Sequence, residues 1–190
     1  MKTLELKNIA RFINLIAEEK TIIIEKNDAG AYIANPYIII STPAALLPFL
    51  LERRELTKRA RHITEAAAAA EPAGSVWYNE NGSARREPLQ LEKLFTTPGP
   101  GAIDTGMARE DNTGRIIRYL YNDTDLIGVN NTYYKRAEAA AGANFTLYAA
   151  GKLQPVIIYG QYINAVILPI NYQHDKYTEA ITRAAAGAIA

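Results

Sequence analysis

The sequence has no cysteine and very few histidines, so it is poor in the residue types that most often carry chemistry. The absence of cysteine from 190 residues excludes disulfides, thiolate metal ligands and thiol nucleophiles, and it fits a reducing compartment. His62 and His174 are the two histidines, and their wide separation gives little support to a metal site. Nucleophile-elbow, phosphate-loop and dinucleotide-binding motifs are also missing. We therefore expect a protein that is not an enzyme and that requires no metal or cofactor.

Net charge and long apolar runs are equally scarce. The formal charge is +1 and the pI is about 7.9, so any attraction to nucleic acid would need a local patch of charge. No apolar run approaches the roughly 20 residues needed to span a bilayer, and the first residues lack the apolar segment of a secretory signal. These features predict a cytoplasmic protein without a membrane partner, in a bacterium or in a cell infected by a phage.

Both ends of the chain show a helical pattern followed by strand patterns. Residues 8–19 place apolar side chains at helical spacing, and residues 132–141 do the same after a cap at Asn131 or Thr132, with Gly142 closing the helix. Runs rich in β-branched and aromatic residues predict strands at 21–25, 32–34, 37–40, 116–120, 126–129, 145–148, 155–159 and 162–170. The pattern predicts one α+β domain, residues 1–190, built from two helix-plus-antiparallel-strand units.

The segment from about 43 to 115 is different and is predicted to be an insertion between the two units. A helical stretch is expected from 43 to 71, ended by Pro72, Ala73 and Gly74. A strand at 76–78 then enters a tight turn at 79–82. Residues 96–114 are rich in Gly, Pro and Asp, and their composition indicates a long surface loop.

The last third contains short motifs that resemble a domain of the bacterial DNA sliding clamp, the beta subunit of DNA polymerase III. They are Asn130, Tyr133 and Tyr134 at the helix, Gln154 to Ile158 in one strand, and Val166 to Ile170 in the last strand. The resemblance covers residues 126–170 well and the first forty residues loosely. Leucine and isoleucine stand where the family has methionine, which preserves the apolar character.

This resemblance implies a DNA-clamp-like fold, with the two helices side by side on one face of the strands. It implies a non-enzymatic module associated with DNA replication. A clamp subunit contains three such domains and this sequence has length for one, so a ring would require a homo-oligomer. A protein encoded by a phage or mobile element fits that size.

The resemblance also implies two sets of site residues. Clamp helices face duplex DNA without sequence specificity, which points to Lys7, Arg11, Arg54, Lys58, Arg61, Lys135 and Arg136. An apolar cleft near the last strand of the family receives short peptides of replication proteins, which points to Leu168, Pro169, Ile170 and Tyr172. Each set also has a simpler interpretation, in which the cations form a solvated helix face and the apolar residues form a core strand. The alternative function is a protein-interaction module of a phage or mobile element that uses the fold without binding DNA.

Asp104-Thr105-Gly106 raises a distant alternative, a dimeric aspartic protease. In that family Asp-Thr-Gly follows an apolar strand, and two subunits supply two carboxylates that share a proton. Here Pro98, Gly99, Pro100 and Gly101 interrupt the expected strand. Only about twenty residues separate Asp104 from Leu126-Ile127-Gly128, the best match to the second protease motif. We therefore expect Asp104 to be a turn residue.

Overall fold

The structure, a computed structural model, describes residues 3–71, 74–79, 82–96 and 99–189. The α-helices in these ranges are α1 (Thr3–Ala17), α2 (Leu47–Leu51), α3 (Lys58–Ala69), α4 (Asn131–Ala141) and α5 (Lys176–Ile189). Short 3-10 helices occupy Ala44–Leu46 and Leu91–Phe95. The strands are β1 (Ile22–Lys26), β2 (Ala31–Ala34), β3 (Ile38–Thr42), β4 (Ser75–Asn79), β5 (Gly82–Arg86), β6 (Ile103–Glu110), β7 (Ile116–Tyr121), β8 (Leu126–Asn130), β9 (Thr146–Ala149), β10 (Val156–Tyr159) and β11 (Asn164–Ile167).

An eight-stranded antiparallel sheet contains two matching sets of three strands. Its strand order is β5-β4-β1-β2-β3-β11-β10-β9, so β1-β2-β3 on one side mirrors β9-β10-β11 on the other. The two sets meet where Ile39 of β3 lies opposite Val166 of β11. The predicted α+β architecture with two helix-plus-antiparallel-strand units is therefore confirmed.

The two predicted helices lie side by side on one face of this sheet and run antiparallel. The Nδ2 of Asn8 donates to the carbonyl oxygen of Ala139 at 3.0 Å, and the hydroxyl of Tyr133 donates to Oε1 of Glu19 at 3.3 Å. Ile9, Phe12, Ile13 and Ile16 of α1 are fully buried, and α4 presents mainly alanines, which allow close approach. Helix α3 packs beside α1, and we refer to α1, α2, α3 and α4 as the helix layer.

Capping residues define helix α4. Asn130 is the N-cap, because its side chain accepts from the backbone N–H groups of Thr132 and Tyr133, at 2.9 and 3.4 Å. The cap therefore lies one residue before the predicted Asn131. Gly142 closes the helix as predicted, with φ at +93°, a value that glycine adopts without strain.

A second sheet, of order β6-β7-β8, packs against α4 and α5. The segment after β11 joins the two sheets, since the N–H of Ile170 donates to the carbonyl oxygen of Gly128 at 2.7 Å. Tyr172 then packs with Tyr119, Ile181 and Ala185 in a separate apolar cluster. The sequence pattern did not predict helix α5. No helix in the described ranges is both long and apolar enough to cross a membrane.

The middle of the chain corrects several predictions. Strand β4 pairs with β1 and extends the main sheet, so part of the predicted insertion at 43–115 belongs to that sheet. The predicted helical stretch 43–71 is interrupted between α2 and α3, at residues 52–57. The long loop predicted at 96–114 is wrong, because Ile103–Glu110 forms β6 and pairs with β7. The predicted helix stop includes Pro72 and Ala73, and the predicted turn includes Glu80 and Asn81; these four lie outside the described residues.

Candidate functional site

The solvent side of the helix layer carries exposed cations. Arg11 on α1, Arg136 on α4, Arg54 before α3 and Lys58 at its start are all exposed. None of these four side chains has an ion-pair or hydrogen-bond partner among the residues that the structure describes. They are therefore free to meet an anionic ligand without first breaking an internal contact.

Of the other three predicted DNA-binding residues, Lys135 and Arg61 are engaged within the molecule and Lys7 is half-buried. Lys135 forms an ion pair with Glu138, with 2.7 Å between Nζ and Oε2. Arg61 donates to the carbonyl oxygens of Leu51 and Arg53 where α2 ends, the latter at 2.9 Å. Lys7 is half-buried beside Glu55, whose pKa is lowered mainly by a hydrogen bond from Arg53 and slightly by the charge of Lys7. Arg61 in particular stabilises the turn after α2, because it satisfies carbonyl groups that the helix leaves free.

The helix layer holds the local excess of charge that the whole chain lacks. Residues 3–20, 52–65 and 131–141 contain ten lysines and arginines and seven glutamates. Their net charge of +3 exceeds the +1 of the full sequence, so the remainder of the chain is slightly acidic. A moderate positive field on one face is what non-specific phosphate contact requires.

The four residues predicted to bind a peptide do not share one environment. Leu168 is 41% exposed and its N–H donates to the carbonyl oxygen of Tyr37 at 2.9 Å. Pro169 forms an isolated bridge with Val129, and Ile170 packs against the cluster around Tyr119. Tyr172 is buried: its ring packs on Gly128, its hydroxyl donates to the carbonyl oxygen of Leu126, and burial raises its pKa to about 12. Peptide binding at these residues stays a prediction, in which only Leu168 offers a largely free side chain.

Asp104 is not the turn residue that the sequence predicts. It lies on β6, and Arg118 of β7 donates to both of its carboxylate oxygens at 2.6 Å. Burial acts to raise the pKa of Asp104, but the hydrogen bonds from Arg118 and from the N–H of Gly106 outweigh it and hold that pKa below its usual value. A carboxylate held ionised by an arginine is unsuited to share a proton as a general acid, so the protease alternative loses its central residue.

The two histidines lie apart, each beside a different neighbour. His62 contacts the edge of the Tyr78 ring, and His174 lies 3.9 Å from Glu179. Within the described ranges no group of three or more His, Asp or Glu side chains is placed to hold a metal ion. Sequence reasoning missed one buried carboxylate, Glu25, which lies on the opposite face of the main sheet from the helix layer.

An apolar groove of about 290 Å³ runs between β6 and α5. Its walls include Ile103 and Met107, which are 37% and 44% exposed, together with Tyr177, Ile181 and the alanines of α5. Sequence reasoning missed this groove because β6 was expected to be a loop and α5 was not expected at all.

No protein-family model matches the sequence, and no curated protein matches it either. Solved structures do match, and bacterial clamps are among them, as the sequence resemblance predicts. The Helicobacter pylori beta clamp bound to a DNA ligase peptide is 13% identical, with a TM-score of 0.47 over 89% of this chain and 64% of the clamp chain. A putative DNA polymerase III beta subunit from Eubacterium rectale is 12% identical, with a TM-score of 0.46 over 90% of this chain and 65% of the other.

A sliding clamp of another type also matches. It is the PCNA of A. fulgidus bound to the C-terminal region of FEN-1, at 12% identity and a TM-score of 0.36 over 89% of this chain and 96% of that one. The chain thus spans a little under two thirds of the length of the two bacterial clamp chains that it matches.

Proposed function

We propose that this chain is a non-enzymatic, clamp-like module of DNA replication that meets duplex DNA through its helix layer. The observation that carries the proposal is the antiparallel pair α1 and α4, with Arg11 and Arg136 exposed on its solvent side and without a partner among the described residues. Arg54 and Lys58 extend the positive surface toward α3. Guanidinium and ammonium groups on a rigid helical surface contact phosphates without reading bases, so the binding is indifferent to sequence.

The proposal predicts weak binding that depends steeply on salt. Each phosphate contact releases condensed counterions, and log affinity therefore falls with log salt at a slope of about −0.9 per contact. Titration of a labelled duplex of arbitrary sequence, followed by fluorescence anisotropy at several salt concentrations, measures that slope. Exchange of the duplex for one of different sequence should leave both affinity and slope unchanged.

Two double variants test the two parts of the positive surface separately. Arg11→Gln with Arg136→Gln tests the α1–α4 pair, and Arg54→Gln with Lys58→Gln tests the start of α3. Each double variant should flatten the slope by about 2 if both of its residues contact phosphates. Lys93→Gln with Arg183→Gln is the matched control, because it removes two exposed cations outside the helix layer and leaves its surface intact. Equal losses in the control and the test variants, or no binding at low salt, would contradict the proposal.

A protein-interaction module that does not bind DNA is the second candidate. The observation that favours it is the apolar groove between β6 and α5, where Ile103 and Met107 remain exposed. This groove would bind a short apolar peptide, such as one from a replication protein. Absence of DNA binding at low salt, together with an intact fold, would favour this second candidate.

A further inference from the structure

Residues 87–96, which we name the strap, cross the face of the main sheet opposite the helix layer. The 3-10 helix Leu91–Phe95 places Leu91 and Phe95 on an apolar floor, where they are only 6% and 9% exposed. The floor residues come from four adjacent strands, β2, β3, β11 and β10, and are Tyr32, Ala34, Ile39, Val166 and Ile157. The rings of Tyr32 and Phe95 are tilted, with their centroids 5.9 Å apart.

Polar contacts hold the strap at a few points. Glu25, 4% exposed, accepts hydrogen bonds from the backbone N–H groups of Leu89 and Leu91, the latter at 2.9 Å. The hydroxyl of Tyr159 donates to the carbonyl oxygen of Phe95. The hydroxyl of Ser75 donates to the carbonyl oxygen of Glu87 at 2.8 Å, at the start of the strap. The sheet below therefore holds the strap by two apolar side chains and by its backbone N–H and carbonyl groups.

The floor is complete without the strap. Its four strands pair with one another in register, and the described strap residues add no strand to that ladder. The other strap side chains point away from the floor, so that Leu89 is 50% exposed and Leu94 is 44% exposed. Gln90 adopts a left-handed conformation, with φ at +59°, which is unfavourable for a residue with a Cβ. Removal of the strap would uncover a continuous apolar surface without breaking the sheet.

We propose that the strap can be displaced from the floor. The groove that this opens over the floor would dock a partner peptide of the same pattern, a leucine followed four residues later by phenylalanine. The strap itself shows which chemistry the groove accepts: two apolar side chains in a short 3-10 turn, and two N–H groups that meet Glu25. A tethered segment competes at a high effective concentration, so the strap holds the groove closed until a stronger ligand replaces it. This inference does not depend on DNA binding by the helix layer.

The test uses a labelled peptide with the sequence of residues 86–96 as the probe. The full chain with Leu91→Ala and Phe95→Ala, which we call the plug variant, should bind this peptide at least about tenfold more tightly than the wild-type chain. The reason is that its own strap no longer covers the floor with two apolar side chains. Leu89→Ala with Leu94→Ala is the matched control, since it removes two exposed apolar side chains of the same strap. The control should behave as the wild type. A peptide with alanine at both anchor positions should bind none of the chains.

Trp77 provides a reporter for the strap. It is the single tryptophan of the sequence, its Nε1 donates to the Ser75 hydroxyl at 3.0 Å, and Arg86 lies 4.6 Å from the centre of its ring. Tryptophan emission should shift in the plug variant and return toward the wild-type spectrum as peptide is added. Failure of a folded plug variant to bind the peptide, or equal binding by the wild type, would overturn the proposal.

Hydrogen exchange of the wild-type chain keeps the proposal testable if the plug variant does not fold. The amides of Leu89 and Leu91 should exchange well before those of β3 and β11, because the strap opens while the sheet stays intact. Glu25→Gln should accelerate exchange at these two amides and leave β3 and β11 unchanged. Exchange of the strap amides only at the rate of the sheet would show that the strap is not displaceable.

Discussion

Arg118 holds Asp104 by both carboxylate oxygens across the first two strands of the smaller sheet. The Nε–Oδ1 and Nη2–Oδ2 distances are both 2.6 Å, and Nη1 of Arg118 also donates to the carbonyl oxygen of Gly106 at 3.0 Å. The pairing of β6 with β7 shifts register between Asp104 and Ala108, and the arginine spans that irregularity. The Asp-Thr-Gly tripeptide is thus part of a bulge that an ion pair stabilises.

Asp104→Asn should lower the free energy of unfolding by about 1–3 kcal/mol, because it leaves a shielded guanidinium with a neutral partner. The two side chains are 22% and 14% exposed, so solvent screens the pair only in part. Urea unfolding followed by circular dichroism measures the change. Asp28→Asn, in an exposed turn, is the control and should have little effect. An unchanged stability, combined with loss of an acid peptidase activity, would contradict the structural role.

The same pair should make stability depend on pH in the acid range. The folded pKa of Asp104 lies below its usual value of 3.8, so the folded state favours the ionised carboxylate. This stabilisation is fully present above the unfolded pKa and is lost as pH falls through the lower folded pKa. The difference in unfolding free energy between wild type and Asp104→Asn should be constant at neutral pH and shrink below about pH 4. A difference that stays constant from neutral pH down to pH 2 would exclude the ion pair as its cause.

Gly128→Ala should destabilise the junction between the two sheets by about 1–3 kcal/mol. A Cβ at this position would lie 2.7 Å from Cδ1 of Tyr172 and 3.0 Å from Cγ2 of Ile117, both in a packed cluster. Gly187→Ala is the opposite control: no described atom lies within 4 Å of the position that a Cβ would take, and alanine favours helix α5 by about 0.5–1 kcal/mol. Thermal unfolding should show a lower midpoint for the first variant and an equal or higher one for the second.

Arg61→Gln should lower stability by about 1 kcal/mol, whereas Lys58→Gln should not. Arg61 satisfies the carbonyl oxygens of Leu51 and Arg53, while the described residues offer Lys58 no partner. Denaturant titration of the two variants separates these roles. Arg61 is accordingly omitted from the variants that test DNA binding, because a loss of affinity there would mix stability with recognition.

Sequence reasoning predicted the parts of the fold in which pattern and packing agree. The stripe Ile9, Phe12, Ile13 and Ile16 faces the core as its spacing indicates, and Gly142 ends α4. Strand β6 escaped prediction because an edge strand with exposed side chains has no apolar alternation. Helix α5 was missed because its apolar face is made largely of alanine.

The candidate site was harder to predict than the fold. The clamp resemblance pointed to seven cations, but only the folded structure separates the exposed Arg11 and Arg136 from Arg61, whose donors meet backbone carbonyls. The partner of Asp104 lies fourteen residues away across an irregular pairing, a relationship that no local pattern encodes. The contact between the strap and the main sheet could not be predicted from the sequence for the same reason, because the floor combines four strands from both ends of the chain.

The pairing of β3 with β11, which we call the seam, must form late when the molecule folds. Ser41 pairs with Asn164, so closure of the main sheet joins residues separated by more than half of the chain. The β1-β2-β3 meander is local in sequence and forms without that long loop closure, whereas the seam must wait for it. Until the seam closes, the edge of β3 stays unpaired and offers a template for strands of other chains. Synthesis at low temperature, or a chaperone that shields this edge, should therefore raise the yield of native protein.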